Sequence, residues 1–276
     1  MTAIAIWQST LRDNSSILYA AGDSLISNGT SHLIGDASKI FPLQVTCRIP
    51  NKDGVFSLVS SNHVYGYAFA GSTLLGQNSY LSLTPLLSNL YSLQDFTPSL
   101  ENISLYVLDF LRTIYDDAKI RGPSTAFEVA LFGYCPISQK MEIYHFKPIR
   151  TELDGSEIQR NTYRHLKHGD YVYLGSNKNE FEDALSIARQ GPTAPGFPMT
   201  NAPRYVIERF INEKSFPQIG GGLQLWSIDP TGIFPYTLSR PINPGSPAAK
   251  FTYLGHVLGD SLQNLGPAWI GMRGMA

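Results

Sequence analysis

Hydrophobic and polar positions change period along the chain. Residues 2–7 are mainly small or β-branched and apolar, 10–15 carry turn chemistry, and 17–21 form a second apolar run. That pattern predicts a strand hairpin at the N-terminus. Short β-like stretches follow around Leu25 and Ile26 and over 39–43, 45–49, 55–59 and 64–70, with Gly, Asn and Asp between them, so the first quarter reads as sheet. The period then lengthens. Leu83, Leu86, Leu87 and Leu90 share one helical face, and Ile103, Val107, Phe110 and Ile114 share another after Pro98-Ser99. Strand signals return at 126–134, 141–146 and 171–174, then 180–189 and 204–212 read as short amphipathic helices, and 223–228 and 234–238 as strands. Such segregated runs predict an α+β fold rather than alternating βαβ units. The Pro-rich pieces 191–198 and 241–247 read as surface loops.

Composition narrows the partners. The chain has 276 residues, 43% of them hydrophobic, enough for a sizeable core in one large domain or two small ones. Lys plus Arg (21) nearly cancels Asp plus Glu (22), so no global field attracts nucleic acid or an anionic membrane surface. The basic stretch 160–168 reads as a loop or a solvated helix face. Cys47 and Cys135 read as buried small hydrophobes, and His145, His165, His168 and His256 lack metal-ligand spacing. The first residues carry no basic leader or apolar stretch of signal length, and the expectation is a cytoplasmic protein. Positions 54–94 contain no Asp, Glu, Lys or Arg, yet Ser, Asn, Gln, Gly and Pro85 argue against a membrane span. Burial is expected there, or contact with a neighbouring subunit, which makes a homo-oligomer the expected assembly.

Thr2 carries the chemistry of interest. Removing Met1 would leave a hydroxyl and a free α-amine on one residue, nucleophile and base tethered together. An α-amine of pKa about 7.7–8.0 suits a general base at neutral pH, provided it stays unprotonated. A buried lysine ammonium nearby would disfavour its proton: at roughly 4 Å and an effective dielectric near 20 the repulsion is about 4 kcal/mol. That lysine in turn needs a carboxylate to hold it. Candidates stand close to the first strand, Asp23 in Ala20-Ala21-Gly22-Asp23-Ser24 and Lys39 in Asp36-Ala37-Ser38-Lys39-Ile40-Phe41.

With these residues the sequence resembles the threonine peptidases of the proteasome β-subunit type, including the bacterial proteasome-like peptidases, within the N-terminal nucleophile hydrolases. The Asp23-to-Lys39 interval of 16 residues matches that family's spacing, and the first hairpin is several residues longer. Tyr67-Ala68-Phe69-Ala70-Gly71-Ser72 is similar to the family's strand ending in Ala-Gly, which implies that the Gly71 amide forms an oxyanion hole. Tyr173-Leu174-Gly175-Ser176-Asn177 is similar to its Gly-Ser-Gly segment, which implies a Ser176 hydrogen bond near the threonine amine. Ile219-Gly220-Gly221-Gly222 resembles its Ser-Gly-Gly segment with Ile219 in place of the serine, and Phe216 stands where a supporting aspartate is usual.

The resemblance implies a four-layer αββα sandwich, two antiparallel sheets between helical layers, over residues 1–228, with 229–276 as an extension packed on or trailing the same domain. It implies cleavage of an amide, a peptide bond or a small amide substrate, through an acyl-enzyme on Thr2, with catalytic parts for Asp23, Lys39, Gly71 and Ser176. No metal or organic cofactor is required by that chemistry. Subunits of the family form rings, in some members with an ATPase partner. Phe216 and Ile219 keep a second reading open, a catalytically silent subunit acting as scaffold or binding module, and a non-peptide amidohydrolase is a third. Each residue also has a plain reading: Thr2 as the start of an edge strand, Asp23 and Lys39 as a solvated ion pair of about 0–1 kcal/mol, Gly71 as a turn residue and Ser176 as a helix cap.

Overall fold

The computed structural model describes residues 2–11, 13, 15–28, 31–119, 126–150, 156–190, 201–242, 249–258 and 264–275. The first strand, β1 (Ala3–Thr10), is buried on both faces because it alternates small and large apolar residues rather than apolar and polar ones. Ala3, Ala5 and Trp7 point to one core cluster, Ile4 and Ile6 to another. It pairs antiparallel with β2 (Ser16–Asp23), Ile4 opposite Gly22 and Thr10 opposite Ser16, completing the N-terminal hairpin.

The remaining elements in chain order are β3 (Ile26–Asn28), β4 (Ser31–Ile34), β5 (Ile40–Ile49), β6 (Leu58–Gly71), α1 (Thr73–Leu87), β7 (Leu90–Tyr91), α2 (Leu100–Lys119), β8 (Phe127–Cys135), β9 (Lys140–Arg150) and β10 (Ser156–Tyr163), then β11 (Tyr171–Gly175), α3 (Lys178–Gln190), α4 (Ala202–Asn212), β12 (Leu223–Asp229), β13 (Gly232–Pro241), β14 (Ala249–Tyr253), β15 (His256–Val257), β16 (Asn264–Leu265), β17 (Ala268–Trp269) and β18 (Arg273–Met275). An eight-stranded sheet has the order β11-β1-β2-β12-β13-β14-β15, with β18 beside β13, and a six-stranded sheet has the order β10-β9-β8-β6-β5-β7.

The expected four-layer αββα sandwich of two antiparallel sheets is not the architecture. The molecule is mostly sheet with four helices among the described residues. Both large sheets are mixed, since β5 runs parallel to β7 and β13 parallel to β18. Two further two-stranded ribbons, β3–β4 and β16–β17, stand outside them. The extra strands arise where the helical period gives out. Helix α1 ends at Leu87 on a Ser88 cap, so Leu90 belongs to β7 rather than to the helical face, and Leu86 is exposed. After Asp229 the chain continues the eight-stranded sheet through β13, which is hydrogen-bonded to β12 from Trp226–Pro235 to Asp229–Gly232.

Three apolar clusters organise the core. One lies between the six-stranded sheet and α1 and α2, where Ile103 and Val107 are buried as their period predicts. A second joins the eight-stranded sheet to α3 and α4, and a third contains Ile4, Ile6, Ala68, Ala70, Ala130 and Leu174, drawn from both sheets. Of the two readings of the basic stretch 160–168, the structure has the loop, over 164–168, and not the solvated helix face. Its first residues belong to β10, the guanidinium groups of Arg160 and Arg164 lie over the Tyr144 ring at 5.4 and 5.7 Å, and Arg164 pairs with Glu101. The 191–198 loop lies outside the described residues, as do positions 243–247 of the other Pro-rich piece. Among the described residues no helix is long and apolar enough to cross a membrane.

Candidate functional site

Strand β2 delivers Asp23 to the buried end of β1. Its side chain is fully buried, and Oδ1 accepts the Ala3 N–H at 3.0 Å and the Lys39 Nζ at 2.9 Å, while Oδ2 accepts the Gly220 N–H at 3.2 Å. Lys39 precedes β5 and is itself 1% exposed. Its Nζ also donates to Thr2 Oγ1 at 3.0 Å, and Thr2 is buried. The solvated-pair reading of Asp23 and Lys39 therefore fails on burial: the pair is dry, and its charges are compensated by each other and by backbone donors. Burial pulls the Lys39 ammonium below the usual lysine range, against the opposing pull of the Asp23 charge and hydrogen bond.

The loop carrying Lys39 is held by residues the sequence reading did not single out. Gln224 Oε1 accepts the N–H groups of Lys39 at 3.1 Å and Ile40 at 3.2 Å, and its Nε2 donates to Ala37 O at 2.7 Å. The Ser24 hydroxyl donates to Gly35 O at 2.7 Å and accepts from Gly222 N–H at 2.6 Å, while Ala37 N–H donates to Ser24 O. One signal was available: Gln224 is an uncharged polar residue in the apolar strand Leu223-Gln224-Leu225-Trp226, and it is buried. A buried amide in such a place must be satisfied by something, and here it clamps the lysine's backbone.

Ser176 joins through its main chain. Its N–H donates to Thr2 O at 3.0 Å, and its carbonyl accepts the Tyr173 hydroxyl. Gly175 precedes it at φ +105°, where a Cβ would come within 1.8 Å of Thr2 O, so this close approach of β11 to the first residues requires glycine. Gly71 closes β6, the strand whose Phe69 N–H donates to Lys39 O at 3.1 Å, and it lies opposite Phe127 of β8. Thr2, Asp23 and Lys39 are thus in direct contact, Ser176 touches the Thr2 backbone, and Gly71 ends the strand beside Lys39. Phe216 and Ile219 pack into the apolar cluster under α4, Phe216 edge-on to Phe210, and the neighbouring Gly220 amide supplies the donor to Asp23.

The fold as a whole has known counterparts. It is proteasome-related and Anbu-like. The chain is similar to Anbu (ancestral beta-subunit) from Yersinia bercovieri, with a TM-score of 0.53 and 13% identity over 85% of this chain and 81% of that one. It is also similar to the Anbu complex of Pseudomonas aeruginosa, solved as a helical assembly, with a TM-score of 0.54 and 15% identity over 85% of this chain and 84% of that one. No family model matches the chain. No curated protein matches it either.

These neighbours correct the family read from the motifs. Anbu proteins are proteasome-like but distinct, and at 13–15% identity the likeness speaks for the fold, not for membership of the N-terminal nucleophile hydrolases. The physical reason lies in what the motifs do: Gly175, Gly220 and the Asp23–Lys39 pair fix local contacts around Thr2, and local contacts of this kind do not by themselves identify a family.

Proposed function

We propose that this protein is a threonine-dependent hydrolase of amide bonds, acting on a peptide or a small amide once Met1 has been removed. The observation that carries the reading is the dry contact of Lys39 Nζ with Thr2 Oγ1 at 3.0 Å, with Asp23 behind the lysine at 2.9 Å. In this reading the Thr2 oxygen attacks the substrate carbonyl and its proton passes to the Thr2 α-amine, directly or through one water. The Gly71 N–H holds the developing oxyanion, a contribution typically worth about 2.7–4 kcal/mol per donor. Collapse of the tetrahedral adduct breaks the C–N bond, the leaving amine takes the proton, and an ester on Thr2 remains for water to cleave. Lys39 lowers the proton affinity of the centre, Asp23 fixes Lys39, and Ser176 holds the Thr2 backbone.

The test combines mass and turnover. Intact-mass spectrometry of protein from its native host is expected to lack Met1, and a threonine-directed electrophile is expected to add its mass to Thr2. Thr2→Ala is expected to abolish hydrolysis without unfolding the chain. Activity that survives both Thr2→Ala and Lys39→Ala would remove the assignment.

One observation favours a second reading, a silent subunit serving as scaffold. Phe216 and Ile219 fill apolar space where the resemblance calls for polar support, and among the described residues the Asp23 carboxylate is held by the Ala3 and Gly220 amides and by Lys39. Retained Met1 and a Thr2 inert to electrophiles would decide for it. Under either reading the chain associates with copies of itself: the Pseudomonas aeruginosa relative is a helical assembly, and the uncharged 54–94 run leaves Leu74, Leu81 and Leu93 exposed.

A further inference from the structure

Ile4 and Ile6 face the space between the two sheets, and Thr2 and Gln8 keep their parity at either end of β1. At roughly 3.3 Å per residue, Gln8 lies about 20 Å along the strand from Thr2. There it lines a cleft of about 520 Å³ that neither Thr2 nor Lys39 touches. The floor of this cleft is apolar: Met141 belongs to the core cluster between the sheets, and Tyr134 and Leu166 pack against that cluster. The rim is basic, with Lys140 at the start of β9 and Arg164 and His165 from the loop after β10. Among the described residues no Asp or Glu lines it.

The net charge of that rim depends on where the neighbouring acids are spent. Glu101 pairs with Arg164, and buried Glu142 accepts the hydroxyls of Ser138 and Tyr144. Asp13 accepts the Ser15 amide and hydroxyl, and Asp229 pairs with Arg273. Arg164 is thus neutralised, although its bonds to Glu101 and Tyr144 use Nε and Nη2 and leave Nη1 uncommitted. The side chains of Lys140 and His165 have no partner among the described residues. The Ser16 hydroxyl accepts from Gln8 Nε2 at 3.3 Å and keeps its own proton for another acceptor. The charge left over at this rim is positive.

We infer that this cleft binds a small phosphate ester, its phosphate on Lys140, His165 and Arg164 Nη1 and its apolar body on Tyr134, Met141 and Leu166. A cleft lined by one sign of charge concentrates counter-ions. Several cationic donors around one point match a dianion with three acceptor oxygens better than they match a single carboxylate. A hollow of this volume with an apolar floor is of the size that holds an organic ligand rather than a bare ion. The inference goes beyond the hydrolase reading and does not depend on it.

Calorimetric titration of the full chain and of Thr2→Ala with phenyl phosphate, inorganic phosphate and benzoate tests the site. Phenyl phosphate is expected to bind about tenfold more tightly than either of the others, from its buried ring in one comparison and its second charge in the other, and equally well to Thr2→Ala. Lys140 is exposed, so Lys140→Met leaves the core untouched, and it is expected to weaken phenyl phosphate about tenfold, whereas Lys140→Arg retains binding. Lys178→Met, on α3 and outside the cleft, is expected to change nothing. No saturable binding, or the same loss in Lys140→Met and Lys178→Met, would overturn the site. Inorganic phosphate that binds as tightly as phenyl phosphate would overturn the ester in favour of the free ion, and benzoate that does so would overturn the phosphate. Loss of binding in Thr2→Ala would put the ligand at Thr2 and overturn the separate cleft, whereas binding without any hydrolysis would sink the hydrolase reading and leave the cleft standing.

Discussion

Lys39 sits between a carboxylate and a hydroxyl with almost no contact with water, and its titration depends on which influence wins. Desolvation is the largest, so the folded chain releases this proton at lower pH than the ordinary 10.5. Between the lowered value and 10.5 the unfolded chain then binds more protons, and stability rises with pH across that interval. Urea denaturation from neutral pH upward is expected to show the wild type gaining stability relative to Lys39→Met as pH climbs; a gain that shrinks instead would mean Asp23 dominates. Lys39→Met is also expected to lower turnover by about 10²-fold or more. The contacts of Lys39 with Thr2 and Asp23 were legible because a hydroxyl, a carboxylate and a lysine stand in order along a short stretch. Gln224 was not, since its partners Lys39 and Ile40 are 185 and 184 residues away and only the folded sheet brings them together. Gln224→Leu is expected to cost about 1–3 kcal/mol for each amide it leaves unpaired, measurable as a fall in the urea midpoint, and to reduce activity without touching Thr2.

Strands and helices followed the hydrophobic period wherever it was strong, as in β1, β2, α2 and β12. Where short apolar runs were read as separate strands, the backbone joined them: Ile40–Ile49 is one strand, β5, that accommodates Pro42, and β6 runs from Leu58 to Gly71. The tail beyond Asp229 was the least legible, because its strands are short and draw their stability from pairing with distant neighbours. Its β14–β15 turn has a definite place. A Cβ on Gly255, at φ +84°, would meet Asp36 Oδ1 at 2.5 Å, and one on Gly222 would meet Gly255 N at 2.6 Å. The turn is thus seated on the segment 35–39 that carries Lys39. Gly255→Val is expected to destabilise the fold by about 1–3 kcal/mol and to displace that segment, lowering kcat more than KM changes. A variant with wild-type kcat and reduced Tm would show that the turn only adds stability.

Runs of strand and helix period were legible because they are a property of order along the chain, but their assembly was not: in place of the expected α+β four-layer sandwich the molecule is mostly sheet, with mixed sheets. Parallel pairing of β7 with β5 and of β18 with β13 was not legible, since a strand of two or three residues has no period to read. The uncharged run 54–94 is the other feature of the molecule as a whole, and the structure divides it. Leu75, Leu83 and Leu87 of α1 are buried, whereas Leu74 at 79%, Leu81 at 65% and Leu93 at 85% remain exposed. Burial within one chain therefore accounts for only part of the missing charge, and the rest fits a surface covered by another copy. Leu74→Glu and Leu81→Glu place charges on the outer face of α1 without entering the core, so each is expected to leave the unfolding free energy within about 0.5 kcal/mol of the wild type while shifting sedimentation towards the single chain. An unchanged sedimentation profile for the double variant would place the contact between copies elsewhere. Because the Lys39 and Thr2 contact is internal to one chain, hydrolysis by the separated chain is expected to persist.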